Sequence, residues 1–591
     1  PDGWLYGNQG VFNTASVRKP DAAEKSPRTE LHAGIWRYHP LRREFEIFAH
    51  GGSNQWGLDF NMSGHLFMTH CRSFFGGGGT SYVIRNGHYW NQSNGGYAPF
   101  ISNQGTSFSP YLKNYLPASA KTDDGEGGAG KPGTTAIYGG HSHVGTMVYL
   151  GDNWPDIYRN QLFTHNLFGH QMNHNENVRE GSGYETMQGG YDMMFVPDST
   201  YVAVNLKYGP DGAVYINDWC DKQHCHTPRD DSWDRTNGRL YRVSWAETYK
   251  PVKVDLGKMS DLELATLQTH KNEWYARTAR RLLTERAKGA AIAPEAVTML
   301  AGMATQSAAS AEDAIVLRGL WTLYGIGALN DERLTAAMRH ESATVRAWAI
   351  QLATQNGNTI LPPERIDALV AMAETDKSAV VRLALASAMP VLNDAAGWRV
   401  GEALAMHGED REDRFLPKMI WFGLGRLMEK DPARAQALAA KTPLPSLADS
   451  IDWYAARSPS GRETITASIV KSSDEAALRL TRMLSFSLSE QNRASMPKDW
   501  PAAVARLQAH PNAEAHALSE QLSAVFGDKA SLVKLRAILA DEKSPLPDRR
   551  RAFDLLKRSG DADSSTVFAG LLDNAEFRSQ VIPLLARADD A

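Results

Sequence analysis

The sequence predicts an all-β region followed by an all-α region. Two observations carry this: a shift in composition near residue 250, and a change in repeat pattern at the same place. Of the 49 glycines, 33 lie before residue 251, as do 13 of the 18 histidines. There, Gly-containing turns separate short aromatic and β-branched runs, the pattern of an antiparallel β domain. Beyond it, Ala, Leu, Arg and Glu dominate, and these residues favour packed helices. At 591 residues the chain is too long for one ordinary core. The reading divides it into 1–245, a linker at 246–258 and 259–591. A hydrophobic content of 42% and a net charge of −4 exclude a disordered chain, and no basic stripe points to nucleic acid. No run of about 18 apolar residues is present to span a membrane.

Within the first region one hairpin is plain. Residues 206–219 place Gly209-Pro210-Asp211-Gly212 between two strand-like runs, with Pro and Gly supplying the turn dihedrals. Variants of it occur at 56–71, turning at Asn61 to Gly64, and at 146–166 with a longer loop. Repeated hairpins of this kind predict the blades of a β-propeller. Pro1-Asp2-Gly3 before Trp4-Leu5-Tyr6-Gly7 reads as a turn followed by a second strand. That predicts a chain cut inside a propeller; the alternative is a smaller β domain starting here. The opening at Pro1 shows no leader, which fits a removed leader or a fragment. Residues 118–134 read as a Gly-rich polar loop, and Gly76 to Gly79 lacks the Lys-Ser/Thr of a phosphate loop.

In a propeller, residues opening a blade's first strand and closing its second share one face. This brings together Asn54 and Trp56 with His70 and Cys71, then His141 and His143 with His165 and Asn166. Tyr201 joins Asp218, Trp219 and Asp221, and Asn8 and Gln9 come from the first blade. The sequence therefore predicts a polar rim, where such folds carry their sites. His141 and His143, at i and i+2, either bind a metal or hydrogen-bond neighbouring loops. Asp221, His224 and His226, with Asp218 and Cys225, are either ligands or a pinned loop. Trp56 either stacks on a flat ligand or packs in the core. Cys220 and Cys225 either bridge or stay free.

The second region opens with a capping box, Ser260-Asp261-Leu262-Glu263. His270, Asn272, Tyr275, Ala279 and Leu282 align with His340, Ser342, Val345, Ala349 and Leu352, an offset of 70. Ser342, Val345, Arg346 and Ala349 align with Ser378, Val381, Arg382 and Leu385, an offset of 36. A period near 35 predicts helix-pair repeats forming a HEAT/ARM-like solenoid with a docking surface. Arg549-Arg550-Arg551 reads as a solvated helix face, or as a site for an acidic partner.

The stretch from His141 to Val243 resembles the last blades of soluble quinoprotein glucose/sorbosone dehydrogenases. Gly145, Trp154-Pro155, Tyr158-Arg159, Leu162-Phe163, Gly209 to Gly212 with Tyr215, and Asn237 to Arg242 carry the resemblance. Asn54 with Gly57-Leu58 is similar to that family's Asn-x-x-Gly-Leu strand. With the helical repeats, the chain resembles a bacterial group named for a membrane-bound dehydrogenase domain. The resemblance implies the C-terminal blades of a six-bladed type of propeller and oxidation of a sugar or other alcohol. It implies pyrroloquinoline quinone (PQQ) and calcium as cofactors, with the catalytic His on an upstream blade. It further implies electron transfer to a c-type haem domain absent from this chain, and an extracytoplasmic location. Three departures stand against those cofactors. Tyr201-Val202-Ala203-Val204-Asn205 replaces an Arg-x-Arg-Asp run, His70-Cys71-Arg72-Ser73 replaces a calcium loop, and Trp56 replaces a quinone-contacting Gln. The other reading is a non-catalytic carbohydrate- or protein-binding propeller on a docking scaffold.

Overall fold

The computed structural model describes residues 1–70, 80–91, 98–102, 105–108, 143–167, 170–189, 192–198, 200–221, 236–307, 312–355 and 361–589. The β region supplies β1 (Leu5–Gln9), β2 (Ala15–Val17), β3 (Thr29–Leu31), β4 (Gly34–His39), β5 (Glu44–Gly52), β6 (Gln55–Phe60), β7 (Leu66–His70), β8 (Thr80–Val83) and β9 (His88–Asn91). It continues with β10 (His143–Val148), β11 (Leu162–Asn166), β12 (Gln171–Glu180), β13 (Gly183–Gln188), β14 (Met194–Phe195), β15 (Ala203–Tyr208), β16 (Val214–Asp218) and β17 (Arg239–Val243). Twenty α-helices follow among the described residues, from α1 (Asp261–Thr266) to α20 (Arg578–Asp589).

The strands form separate small sheets ordered β1-β4-β5-β9, β6-β7-β8, β10-β11-β12-β13 with β14 on β12, and β15-β16-β17, plus the ribbon β2-β3. Among the described residues they close no barrel. All pairs are antiparallel except β5 with β9. Neighbouring sheets meet through β1 against β6, β6 against β10 and β10 against β15.

The directions of these four strands follow from their contacts. Gly57 faces Gly145-Thr146, and the Val148 amide donates to Asp59 Oδ2 at 3.0 Å, so β6 and β10 run the same way. Gly145 faces Val204 to Leu206, and the Tyr149 hydroxyl donates to the Gly212 carbonyl, so β15 runs with them. β1 runs oppositely: the Tyr6 ring meets Phe60, whereas the Val11 amide donates to Asn54.

The close approach of β6 and β10 requires glycine. Gly57 has φ +147°, and a Cβ there would sit 2.5 Å from Thr146 Oγ1. Each of the three parallel strands also has a shift in pairing register, between Gln55 and Leu58, Val144 and Met147, and Ala203 and Asn205. Such bulges bend a strand and re-aim its side chains.

By contacts the chain divides into two compact units, Pro1–Arg426 and Leu427–Ala591. The first contains all the sheets and nearly all of the first ten helices. In it α2 (Glu273–Ala287), α4 (Asp313–Gly325), α6 (Ala343–Ala353) and α8 (Ala379–Ala388) lie side by side and receive the turns of the sheets. Gly64, at φ +73°, leaves room for Trp321 and Trp348, and Trp348 Nε1 donates to the Ser63 carbonyl at 2.7 Å. Asn272, the N-cap of α2, donates to Asp152 and to the carbonyls of Gly209 and Pro210. Trp4 Nε1 donates to Gln355, which donates in turn to the buried Asp2 carboxylate that also faces Arg37. Arg85 donates to the Thr354 carbonyl and Asn86 to that of Ser387. Ser182, in the β12–β13 turn, donates from its amide and hydroxyl to Asp413 at 2.7 Å each. Trp245, entering the 246–258 connection, is pinned to Asn153 by hydrogen bonds in both directions.

The capping box at Ser260 forms as its sequence implies. His270 and His340 each accept, through Nδ1, the amide of the residue two ahead, Asn272 or Ser342. In the second unit His510 does the same for Asn512. The second unit is again two-layered, with α12 (Pro445–Ala455), α14 (Asp474–Ser487), α16 (Ala513–Val525) and α18 (Leu546–Ser559) in one row. Here one expectation is corrected. Arg549 is not on a solvated face: it is 7% exposed, donates to the Leu539 carbonyl and lies over the Phe577 ring. Arg550 and Arg551 pair with Glu576 and Glu520. α18 turns one side to the core, and Arg549 falls on that side.

Asp59 is the polar contact that joins sheet to helix most tightly. Burial would raise its pKa, but Lys207, Arg277 and the amides of Phe60 and Val148 overcome that and hold it below the usual carboxylate range. Arg277 Nη1 on α2 donates to it at 3.0 Å. Asp59→Ala leaves Arg277 and the Val148 amide without this partner. Arg277 is partly solvated, so the expected loss is about 2–3 kcal/mol, below the cost of breaking a fully buried pair. Urea unfolding of the wild type and variant measures it, and Asp59→Asn is expected to lose less.

Candidate functional site

The helices hold the turn ends of the sheets, and the predicted rim residues lie at the opposite ends. Strand register sets them there: Gln55 stands opposite His70, His143 opposite Asn166, and Ala203 opposite Asp218. Three sheets are brought together at this end. The rings of Trp56, on β6, and Trp219, just after β16, meet edge to face with centroids 6.3 Å apart, although the β10 sheet stands between theirs in order. Asn8 and Gln9, closing β1, reach the same end where the Val11 amide donates to Asn54 Oδ1 at 3.0 Å.

Most of the polar rim groups are turned inward. Asn54 has φ +46° and clasps the loop after β1. His70 is 1% exposed; its Nδ1 accepts from the Ser53 amide, so Nε2 carries the proton toward Ser81 Oγ at 3.0 Å. His143 Nδ1 lies 3.3 Å from Thr164 Oγ1. Asp218 Oδ1 accepts from the amides of Val202 and Cys220, folding the strap before β15 onto the end of β16. Asn166 and Asp221 are buried. In contrast, Trp56 and Trp219 are 47% and 39% exposed. The rim is thus an aromatic lip over polar groups. Of the two roles open to Trp56, the buried one is removed.

His141, Cys71, His224, Cys225 and His226 lie outside the described residues, and so do Gly76 to Gly79 and residues 118–134. Cys220 is buried, with Sγ 3.8 Å from Thr200 Oγ1.

Burial pulls His70 down to about 4, with the charge of His143 adding to it. Burial also pulls His165 down to about 4, and the neighbouring Gln171 backbone offsets only part of this. Both rings are neutral at pH 7. Asp198 is held low chiefly by its hydrogen bond from Arg239, with those from Thr200 adding to it, and Arg239 Nη1 lies 2.7 Å from Asp198 Oδ2. This Arg239–Asp198–Thr200 bracket went unrecognised as a site feature. Its signal is the Asp-x-Thr spacing, in which Asp198 Oδ1 accepts from both the amide and the hydroxyl of Thr200.

Among the described residues no group of three or more His, Cys, Asp or Glu is placed to hold a metal ion. The cation beside Asp218, Arg239, is already engaged by Asp198, whereas a tricarboxylate quinone needs several cationic donors. No helix among the described residues is long and apolar enough to cross a membrane.

Residues 1–247, covering every described strand, match a domain family of unknown function, DUF7133. No curated protein matches the chain. Among solved structures, the crystal structure of an engineered protein aligns over 56% of this chain and 98% of its own, at 16% identity and a TM-score of 0.24. That superposition is too poor to define a shared fold.

The buried imidazoles set the response to acid. Desolvation also pulls His39 and His50 down to about 4 and His65 and His88 further. Above the unfolded value of about 6.5 these rings are neutral in both states and carry no penalty. As pH falls below it, the unfolded chain gains protons that the native rings refuse, so stability is lost progressively down to about 4. Asp192, pushed up to about 7 by burial, and Asp452, also raised by burial, work in the opposite sense but are fewer than the imidazoles. Thermal melts at pH 7.5, 6 and 5 are expected to show a Tm that falls at each step. A flat profile contradicts the neutral-imidazole assignment.

Proposed function

We propose that the rim binds a sugar or sugar alcohol across the lip formed by Trp56 and Trp219. The observation that carries this reading is the exposed edge-to-face indole pair beside buried polar groups. Indole faces cover the C–H side of a sugar ring, and polar groups set back from them serve its hydroxyls. In this reading the small sheets are propeller blades, supported by the shared direction of β6, β10 and β15 and by their side-by-side contacts. The helical array is a HEAT/ARM-like scaffold that carries the blades by their turns.

A second reading makes the chain part of a quinoprotein-type dehydrogenase of the membrane-bound dehydrogenase domain group. Such a protein would pass electrons to a c-type haem in another domain or protein, in an extracytoplasmic compartment. One observation favours it. Taking the hydroxyl proton from an alcohol needs a neutral base with an open lone pair, and His165 at the rim is neutral with no well-formed hydrogen bond to its ring nitrogens.

Titration of the chain with aldohexoses and hexitols, followed by tryptophan fluorescence, tests the first reading. Saturable binding is expected, and Trp56→Ala and Trp219→Ala are each expected to weaken it roughly tenfold. Absence of binding to any of these at millimolar concentration overturns it. Dye reduction with sugar, PQQ and calcium separates the two: binding without reduction leaves the chain a binding module, and reduction supports the dehydrogenase reading.

A further inference from the structure

The rim contains a second set of polar groups behind the indoles. His165 closes β11, Tyr201 precedes β15 and Asp218 closes β16, so two adjacent sheets supply them. They are 1%, 2% and 4% exposed. Neither ring nitrogen of His165, nor the Tyr201 hydroxyl, nor Asp218 Oδ2 makes a well-formed hydrogen bond to a described group, although the Gln171 backbone lies beside the His165 ring. The nearest cation to Asp218 Oδ2 is Arg239 Nη1, at 3.9 Å. The three are neighbours: the His165 and Tyr201 rings lie 6.3 Å apart at 77°, and Asp218 Oδ1 accepts from the Val202 amide next to Tyr201. The Trp219 amide donates to the Val202 carbonyl, so the same clasp ties Trp219 to the segment that carries Tyr201.

Leaving a buried polar atom unmade costs about 1–3 kcal/mol. Native proteins rarely keep several together without something that satisfies them. We infer that His165, Tyr201 and Asp218 form the polar floor of the rim site and recognise two adjacent hydroxyls, a vicinal diol, of the bound sugar. The inference rests on the sugar-binding reading. The donor and acceptor set fits it. Asp218 Oδ2 only accepts. Tyr201 both donates and accepts, since burial and then the Asp218 charge raise its pKa and keep the phenol protonated. Neutral His165 offers one donor and one acceptor. Each hydroxyl of a diol likewise gives one proton and accepts another. Buried waters are the competing occupants, because a polar recess of this kind also suits them.

Tyr201→Phe and His165→Phe keep the ring volume and remove only the polar atoms. Kd is measured by fluorescence for the tightest-binding sugar and its monodeoxy analogues, with a thermal melt of each protein as a fold control. Each variant is expected to bind the parent sugar roughly fivefold to tenfold more weakly. Each is also expected to lose the wild type's discrimination against one monodeoxy analogue, with an unchanged or raised Tm. Wild-type binding by both variants, while Trp56→Ala still weakens it roughly tenfold, means that waters fill the floor and overturns this inference alone. If a variant does not fold, the wild type decides: equal affinity for the parent and every monodeoxy analogue overturns the inference. Failure of the wild type to bind any sugar overturns the sugar-binding reading, and this inference with it.

Discussion

The first compact unit depends on the seating of hairpin turns onto a row of helices. Every sheet turn described above ends in polar backbone, and a turn pressed against a helix must find partners for it. The helices provide them individually: the Asn272 side chain for the turn at Gly209 and Pro210, Trp348 for Ser63, Ser387 for Arg85, and Asp413 for Ser182. Asp59 and Arg277 add a charge pair at the same level. The β and α parts are chemically unlike, yet they share one contact unit up to Arg426 because the turns and the helix row are complementary.

This arrangement separates two tasks. The turn ends carry the mechanical connection, and the opposite ends are left to carry the aromatic lip and its polar floor. The rim histidines fit that division. His70 has both nitrogens engaged within its own sheet, whereas His165 has neither in a well-formed bond, so similar burial conceals different roles. Burial alone therefore does not identify a binding residue; the state of its polar atoms does.

Much of this was legible in the sequence. The hairpin at Gly209 to Gly212 and the cap at Ser260 follow from local dihedral and hydrogen-bonding preferences, which act over a few residues. The pairing of a residue that opens one strand with one that closes the next, such as His143 with Asn166, follows from hairpin geometry, which is also local. What could not be read depends on partners hundreds of residues away. Nothing near Gly64 indicates that Trp321 and Trp348 will occupy its missing Cβ position, and nothing near Asp59 indicates Arg277. Arg549 was misjudged for the same reason: three consecutive arginines look alike until a core on one side selects one of them. The inward turn of Asn54 follows from a positive φ that its sequence permits but does not require.

The register shifts in β6, β10 and β15 have an evolutionary consequence. Each lies toward the rim end of its strand, away from the seated turn. A bulge is a place where a strand can gain or lose one residue and swap which side chains point outward, while pairing beyond it stays in step. Descendants of this chain can therefore exchange the chemistry of the mouth by single-codon insertions or deletions, without renegotiating the joint that keeps the molecule folded.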